Sequence, residues 1–136
     1  MARPLVADIN LAALKHNLVL AKQQNPNAKT LAVVKANAYG HGSVKVALSL
    51  ESDANAFGVA SIEEALELRA GGVLKPILLL EGCFSEDELA LCEREYFWLV
   101  CHSNHQVEWL VTYMESSVWR PQIWLKVDTG MHRLGF

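Results

Sequence analysis

After residue 28 the chain alternates between short apolar runs and segments whose apolar residues have helical spacing. Each run is nearly continuous rather than alternating, which is typical of strands that are buried on both faces of a parallel sheet. The segments between the runs are long enough to cross over from one parallel strand to the next. The predicted strands are TLAVVK (30–35), NAFGVA (55–60), PILLLEG (76–82), FWLVCH (97–102) and QIWLKVD (122–128).

The first 28 residues are interpreted separately. LVADI (5–9) predicts a further strand, and the following apolar residues have the spacing of one helix face, namely Leu11, Leu14, Leu18 and Ala21. Strands that alternate with helices predict an α/β fold, either a doubly wound sheet or part of a (β/α)8 TIM-type barrel. A full barrel needs at least about 200 residues, so this chain of 136 residues would supply about half of one. Because the sequence stops just beyond the fifth run, we expect it to be part of a longer polypeptide.

Three of the helical segments begin with a capping-box pattern, in which a serine hydroxyl and a later acidic or amide side chain satisfy the first backbone donors. Within the first of these helices, Glu63, Glu64 and Glu67 are interpreted as a solvated face. The three pairs are Ser61 with Glu64, Ser85 with Glu88, and Ser103 with Gln106.

Composition and charge exclude several classes of partner. The net charge of −3 gives no electrostatic reason to expect nucleic acid or an anionic membrane. The first residues lack the apolar core of a signal peptide, and no apolar run is long enough for a membrane span. Cys83, Cys92 and Cys101 form no CxxC pair, so we expect reduced thiols and a cytoplasmic protein.

The first candidate site follows the run that ends at Lys35. An amine half removed from water at the end of a strand suits Schiff-base chemistry with an aldehyde. Asn37, Tyr39 and His41 follow it, and Gly40 and Gly42 would let backbone N–H groups approach an anion. The alternative is a lysine that extends into solvent beside a structural turn.

The second candidate site is LKVDTGMHRLG (125–135). Lys126 lies inside an apolar strand, where an unpaired ammonium is costly. Arg133 follows a glycine-containing turn and its planar donors suit carboxylate or phenolate oxygens, while Asp128 would pair with Lys126 or cap the turn. The alternative is a surface salt bridge on an edge strand. His102 and His105 are better explained as part of a helix start than as metal ligands, so no metal is expected.

The two motifs together resemble a known family. AVVKANAYGHG and KVDTGMHRLGF are similar to the two N-terminal signatures of bacterial alanine racemase, a fold-type III pyridoxal-phosphate enzyme. AFGVASIEEALELRAGG and PILLLEG also resemble that family and occur in the same order. The resemblance implies that residues 1–136 are the N-terminal part of a pyridoxal-phosphate-binding (β/α)8 barrel. The family's C-terminal β domain would lie outside this chain.

The resemblance also implies roles for individual residues. Lys35 would hold pyridoxal 5'-phosphate as an internal aldimine and act as a base on the Cα proton of D-alanine. Tyr39 would bind the cofactor phosphate, and Arg133 would contact the cofactor's phenolic oxygen and the substrate carboxylate. Lys126 would be the lysine that some members carbamylate, which turns a buried cation into an anion facing Arg133.

The implied activity is the interconversion of L-alanine and D-alanine, an isomerase reaction that supplies D-alanine for peptidoglycan in the cell wall. The full-length protein is expected to be a homodimer in which the partner subunit's C-terminal domain supplies a tyrosine as the second base. This chain alone is therefore expected to be inactive. The alternatives are a module that binds pyridoxal phosphate without turnover, and a serine racemase of the same family.

Overall fold

The computed structural model describes residues 5–136, and residues 1–4 lie outside the described part. Its centre is a sheet of five parallel strands, each of which lies within one of the five predicted apolar runs. The five predicted strands are therefore confirmed. They are β1 (Leu31–Val33), β2 (Ala56–Val59), β3 (Ile77–Leu79), β4 (Trp98–Cys101) and β5 (Ile123–Leu125).

The order of the strands distinguishes the two architectures that the sequence allows. A doubly wound sheet reverses its strand order at a switch point, whereas here every strand pairs with the strand before it, in the order β1-β2-β3-β4-β5. The sheet is also curled, because Leu31 of β1 and Trp124 of β5 line the same cavity although these strands are its two edges. Consecutive order and curling are the features of a barrel wall.

Helices connect the strands and cover the outer face of this wall. They are α1 (Leu11–Gln24), α2 (Lys35–Tyr39), α3 (Ser43–Leu50), α4 (Ile62–Ala70), α5 (Glu88–Glu95) and α6 (Asn104–Ser116). Of these, α2 is a short turn whose residues 36–39 have left-handed backbone angles rather than a regular helix. Between helices and sheet lies the core, in which Phe57, Ile77 and Leu79 of the strands pack with Leu68 and Leu89 of the helices, all at most 1% exposed. The inner face carries Leu78, Val100 and Trp124, which line a cavity instead.

The predicted strand at 5–9 is wrong, because these residues form no strand in the structure. A strand needs a partner for its backbone groups, and the described residues offer none beside this segment. Asn10 instead caps α1, and its Oδ1 accepts a hydrogen bond from the N–H of Ala13 at 3.0 Å. The predicted helix face is confirmed for Leu11, Leu14 and Leu18, which pack against the core, but not for Ala21, which is exposed.

The three capping boxes form only in part. Ser61 and Ser103 occupy the capping positions of α4 and α6 but make no capping hydrogen bond through their side chains, and the cap of α5 is Asp87 rather than Ser85. The later side chain does reach back in all three, but to the N–H of the residue before the serine. The contacts are Glu64 to Ala60 at 2.8 Å, Glu88 to Phe84 at 2.9 Å and Gln106 to His102 at 3.0 Å.

The three cysteines are free and buried. The Sγ atoms of Cys83 and Cys92 lie 3.6 Å apart, and this contact together with burial raises the pKa of the Cys92 thiol. Within residues 5–136, no helix combines the length and the apolar character needed to span a membrane.

Candidate functional site

Lys35 lies at the carboxyl end of β1. The hydrogen-bond ladder between β1 and β2 continues for one further residue, since the N–H of Val34 donates to the carbonyl of Gly58 at 2.9 Å. Lys35 is the next residue, and its side chain is half-buried while Val34 is buried. In parallel α/β folds this edge of the sheet is where ligands bind. The first predicted site therefore begins at the expected edge.

A left-handed turn follows the lysine. Four consecutive residues other than glycine have positive φ angles between 51° and 54°, namely Ala36, Asn37, Ala38 and Tyr39. Left-handed helical geometry costs about 1–2 kcal/mol per residue for L-amino acids, because Cβ crowds the next carbonyl oxygen. Such strain persists only where surrounding contacts fix it, and it is concentrated at functional sites.

Two polar residues of the first motif stabilise this turn from within. The side-chain oxygen of Asn37 accepts a hydrogen bond from the N–H of Ser43 at 2.9 Å, and Nδ1 of His41 lies 2.9 Å from the carbonyl oxygen of Ala38. Both side chains are therefore engaged by the protein itself. The side chains of Lys35 and Tyr39, in contrast, make no hydrogen bond to the part of the chain that the structure describes.

The prediction that Gly40 and Gly42 let backbone N–H groups approach an anion is wrong for the N–H groups of the two glycines themselves. The N–H of Gly40 donates to carbonyl oxygens of the turn at 3.1 and 3.3 Å, and the N–H of Gly42 donates to the carbonyl oxygen of Asn37 at 2.9 Å. These donors already have partners and are not directed at an anion. The side chain of Tyr39, by contrast, is 63% exposed and makes no hydrogen bond within the described part of the chain.

Glu64 is a polar residue near Lys35 that sequence reasoning missed. The expectation that it lies on a solvated helix face is wrong, because its side chain is half-buried and both of its oxygens accept hydrogen bonds. Oε1 accepts from the N–H of Ala36 at 2.6 Å, and Oε2 accepts from the N–H of Ala60 at 2.8 Å. The capping-box pattern predicted that Glu64 reaches back to the N–H of Ser61, one residue from the contact observed at Ala60, and no sequence signal pointed to the contact with Ala36.

The second motif forms a loop that closes on the end of β5. The N–H of Lys126 continues the ladder to β4 by donating to the carbonyl of Cys101 at 2.9 Å. The N–H of Phe136 donates to the carbonyl of Lys126 at 3.0 Å, and the N–H of Asp128 donates to the carbonyl of Phe136 at 2.9 Å. Arg133 lies within this loop and is exposed. Lys126 is half-buried and lines the cavity on the inner face of the sheet, whose volume is about 330 Å³.

Asp128 caps the turn of the second motif, which resolves the two alternatives for its side chain. Its Oδ1 accepts from the N–H of Gly130 at 2.9 Å and from the N–H of His132 at 3.0 Å, and no ion pair joins it to Lys126. These backbone donors, that of His132 foremost, hold the pKa of Asp128 below its ordinary value of 3.8. Stabilisation of the turn by the carboxylate is therefore complete above pH 3.8 and is lost as the pH falls through the lowered pKa.

We expect Asp128→Ala to release the turn that precedes Arg133. Hydrogen exchange at the amides of Gly130 and His132 should become several-fold faster, since both lose their acceptor. Asp128→Asn is the matched control, because its amide oxygen can accept the same two bonds, and it should leave exchange almost unchanged. Equal exchange rates in the alanine variant and the unmodified protein would show that Asp128 does not hold this turn.

Two histidines outside the motifs, His102 and His105, have structural contacts. Nε2 of His102 lies 3.1 Å from the carbonyl oxygen of Glu81, and the ring of His105 packs edge-on against Trp109 with centroids 4.8 Å apart. Among the residues that the structure describes, no cluster of His, Cys, Asp and Glu could hold a metal ion.

Both predicted sites therefore lie at the carboxyl end of one curled sheet. Lys35 and Tyr39 follow β1, and Lys126 and Arg133 follow β5, so the two groups belong to opposite edge strands. Fold and site together define a β/α-barrel protein that carries an amine directly after its first barrel strand. The chain belongs to the alanine racemase family, whose N-terminal domain matches residues 9–136.

Individual relatives cover the chain almost completely. An alanine racemase of Pseudomonas entomophila is 54% identical over 98% of this chain and 36% of its own length. The biosynthetic alanine racemase of Pseudomonas aeruginosa superposes with a TM-score of 0.92 at 47% identity, over 99% of this chain and 37% of that one. An alanine racemase of Bartonella henselae with covalently bound pyridoxal phosphate superposes with a TM-score of 0.84 at 34% identity, over 93% of this chain and 36% of that one.

These comparisons confirm two of the predictions from the sequence. The resemblance to alanine racemase is confirmed, and so is the fold, since the chain forms about the first third to half of a TIM-type barrel domain. The chain spans a little over a third of the length of the relatives it matches.

Proposed function

We propose that the protein to which this chain belongs is a pyridoxal-phosphate-dependent alanine racemase, which interconverts L-alanine and D-alanine and supplies D-alanine for peptidoglycan. The observation that carries this proposal is the half-buried amine of Lys35 at the carboxyl end of β1, in a chain of the alanine racemase family. Residues 1–136 would be the N-terminal part of the cofactor-binding barrel, and a C-terminal β domain would follow outside this chain. The three free cysteines favour the reducing cytoplasm as its compartment.

The donor set at this edge of the sheet fits pyridoxal phosphate. A primary amine that is partly shielded from water suits a covalent bond to an aldehyde carbon, and Lys35 is such an amine. An exposed phenol suits a phosphate oxygen, and Tyr39 lies four residues further along the same loop. The covalently bound cofactor of the Bartonella henselae enzyme supports the same assignment here.

Lys35 would have two tasks in the reaction. Its Nζ would hold the cofactor between turnovers and, once displaced by the substrate amine, would take the proton from Cα of D-alanine and return it in the reverse reaction. When bound, pyridoxal phosphate supplies an electron sink that makes this proton acidic enough to remove. The hydroxyl of Tyr39 would donate to the phosphate and keep the cofactor in register with Nζ.

The loop after β5 would orient the substrate. Arg133 would donate through its planar guanidinium to the cofactor's phenolic oxygen and to the substrate carboxylate. Lys126 projects from the strand end that carries this loop. Carbamylation of its Nζ would place an anion in the half-buried site and would hold Arg133 by a charge-assisted hydrogen bond.

Racemisation needs a second proton donor on the opposite face of the planar carbon centre. We assign this role to a tyrosine in the C-terminal β domain of the partner subunit, so that the working enzyme would be a homodimer. This chain alone would lack that group, and we expect it to show no turnover.

The proposal is tested on the full-length protein with added pyridoxal phosphate. We expect it to convert L-alanine to D-alanine at about 1 per second or faster, measured by coupling to a D-amino-acid oxidase. Covalent attachment of the cofactor without D-alanine formation would favour the non-catalytic alternative. A higher kcat/KM for L-serine than for L-alanine would identify a serine racemase instead.

A further inference from the structure

We propose that Glu64 is a positioning residue for Lys35, whose carboxylate ties the chain that leaves β1 to the chain that leaves β2. The inference rests on the proposed function, since it concerns how the cofactor-binding amine is held. Glu64 lies in the first turn of α4, and its described hydrogen bonds go to backbone N–H groups and not to the side chain of Lys35 or Tyr39, so its effect would be transmitted through the backbone.

The geometry of the first contact leads directly to Lys35. The N–H that Oε1 accepts at 2.6 Å is that of Ala36. This N–H belongs to the peptide group whose carbonyl carbon comes from Lys35, so holding it fixes the plane through which the chain leaves the lysine. The same peptide group begins the left-handed turn that carries Tyr39. The carboxylate of Glu64 therefore restrains the backbone that carries both Lys35 and Tyr39, the two residues that we assign to the cofactor.

The second contact anchors that carboxylate to the rigid part of the sheet. Oε2 accepts the N–H of Ala60 at 2.8 Å, directly after β2. The two oxygens thus satisfy donors that follow two neighbouring strands, and hydrogen bonds to an ionised acceptor are roughly twice as strong as neutral ones. A turn with four strained residues needs such an external restraint.

A comparison within the same chain separates this role from ordinary helix capping. Glu88, the acidic member of the predicted Ser85–Glu88 pair, also reaches back to the N–H that lies four residues earlier, that of Phe84 at 2.9 Å, although it is the first residue of α5. In the described part of the chain its carboxylate makes no second contact to the loop of a neighbouring strand. Capping alone therefore explains the bond from Ala60 but not the bond from Ala36.

The test uses the full-length protein with Glu64→Gln and, as the matched control, Glu63→Gln. The amide of the first variant has only one acceptor oxygen, so its NH2 group faces one of the two N–H donors. Glu63 is exposed on the same helical turn and loses the same charge. We expect Glu64→Gln to lower kcat by about tenfold to a hundredfold, as small misplacements of reacting groups do, with KM for alanine within about threefold of the control.

A second readout does not depend on turnover. Pyridoxal phosphate is added to the cofactor-free protein, and the rate of attachment to Lys35 is measured by borohydride trapping and peptide mapping. We expect this rate to fall about tenfold in Glu64→Gln and to remain unchanged in Glu63→Gln. Glu64→Asp keeps the carboxylate but is one methylene too short to reach both donors, so it should give an intermediate rate.

Three outcomes would contradict the inference that Glu64 positions Lys35. If Glu64→Gln matches Glu63→Gln in attachment rate and in kcat, Glu64 does not position Lys35, and the proposed function is untouched provided that the unmodified protein racemises alanine. If Glu64→Gln does not fold, Glu64→Asp is used as the test variant instead. An attachment rate and a kcat of Glu64→Asp equal to those of the unmodified protein would then overturn the inference. If the unmodified protein neither attaches the cofactor nor racemises alanine, the proposed function fails and this inference fails with it.

Discussion

Replacement of Lys35 by alanine in the full-length protein is expected to lower alanine racemisation by at least about a thousandfold. The reason is that one substitution removes both the covalent anchor and one of the two groups that exchange the Cα proton, and a positioned general base alone contributes about 10²–10⁴ to the rate. Lys35 is half-buried at the carboxyl end of β1. No other lysine of the described residues follows the same strand end, so none can replace it. The measurement is D-alanine formation, together with mapping of the borohydride-reduced adduct.

The controls for this prediction come from the same region of the chain. Lys45→Ala removes an exposed lysine of α3 ten residues further on and should leave turnover unchanged. Added methylamine should restore a small part of the activity of Lys35→Ala, because a free amine can occupy the space of the missing one and accept the proton. If Lys35→Ala kept more than a tenth of the activity, or if the adduct mapped to another lysine, the assignment of Lys35 would be wrong.

Phe57→Ala is expected to have the largest effect on stability among single core substitutions. Phe57 lies in β2 with its side chain fully buried against the helices, and it pairs in register with residues of both neighbouring strands. Removal of a buried phenyl ring costs about 3–5 kcal/mol, through lost transfer free energy and the cavity that remains. Chemical denaturation of the full-length protein, followed by far-ultraviolet circular dichroism, measures this loss.

The matched control is the same substitution at an exposed site. Phe84 follows β3 and is 58% exposed, and its contact to Glu88 is made by its backbone N–H, which alanine retains. Phe84→Ala should therefore change the free energy of unfolding by no more than about 0.5 kcal/mol. A similar loss for both variants would show that the packing of the sheet against the helices is not what stabilises this part of the protein.

The strands were predictable from the sequence because burial on both faces leaves a continuous apolar run, which is a local signal. PILLLEG contains β3 and FWLVCH contains β4 for this reason. The segment 5–9 has the same apolar character, but a strand also needs a partner, and a partner is not encoded locally. The choice between a doubly wound sheet and a barrel likewise depended on the order of strands, which apolar runs do not specify.

The site was predictable in its residues but not in its geometry. The motifs located Lys35 and Arg133 at strand ends, because chemistry in parallel α/β folds collects there. The left-handed turn was not predicted, since alanine and tyrosine have no preference for positive φ and only the surrounding contacts stabilise it. Glu64 was missed because its partner Ala36 lies 28 residues away in the chain, and a contact over such a separation leaves no periodic signal.

The consecutive order of the strands has a consequence for how the protein folds. Leu31 pairs with Ala56, and Phe57 pairs with Ile77, so partners in the sheet lie only 20 to 25 residues apart. Closing loops of this length costs little entropy compared with the long closures that slow many β proteins. Each finished strand presents a template for the next one, so the wall can grow by one unit at a time in the direction in which a ribosome delivers it.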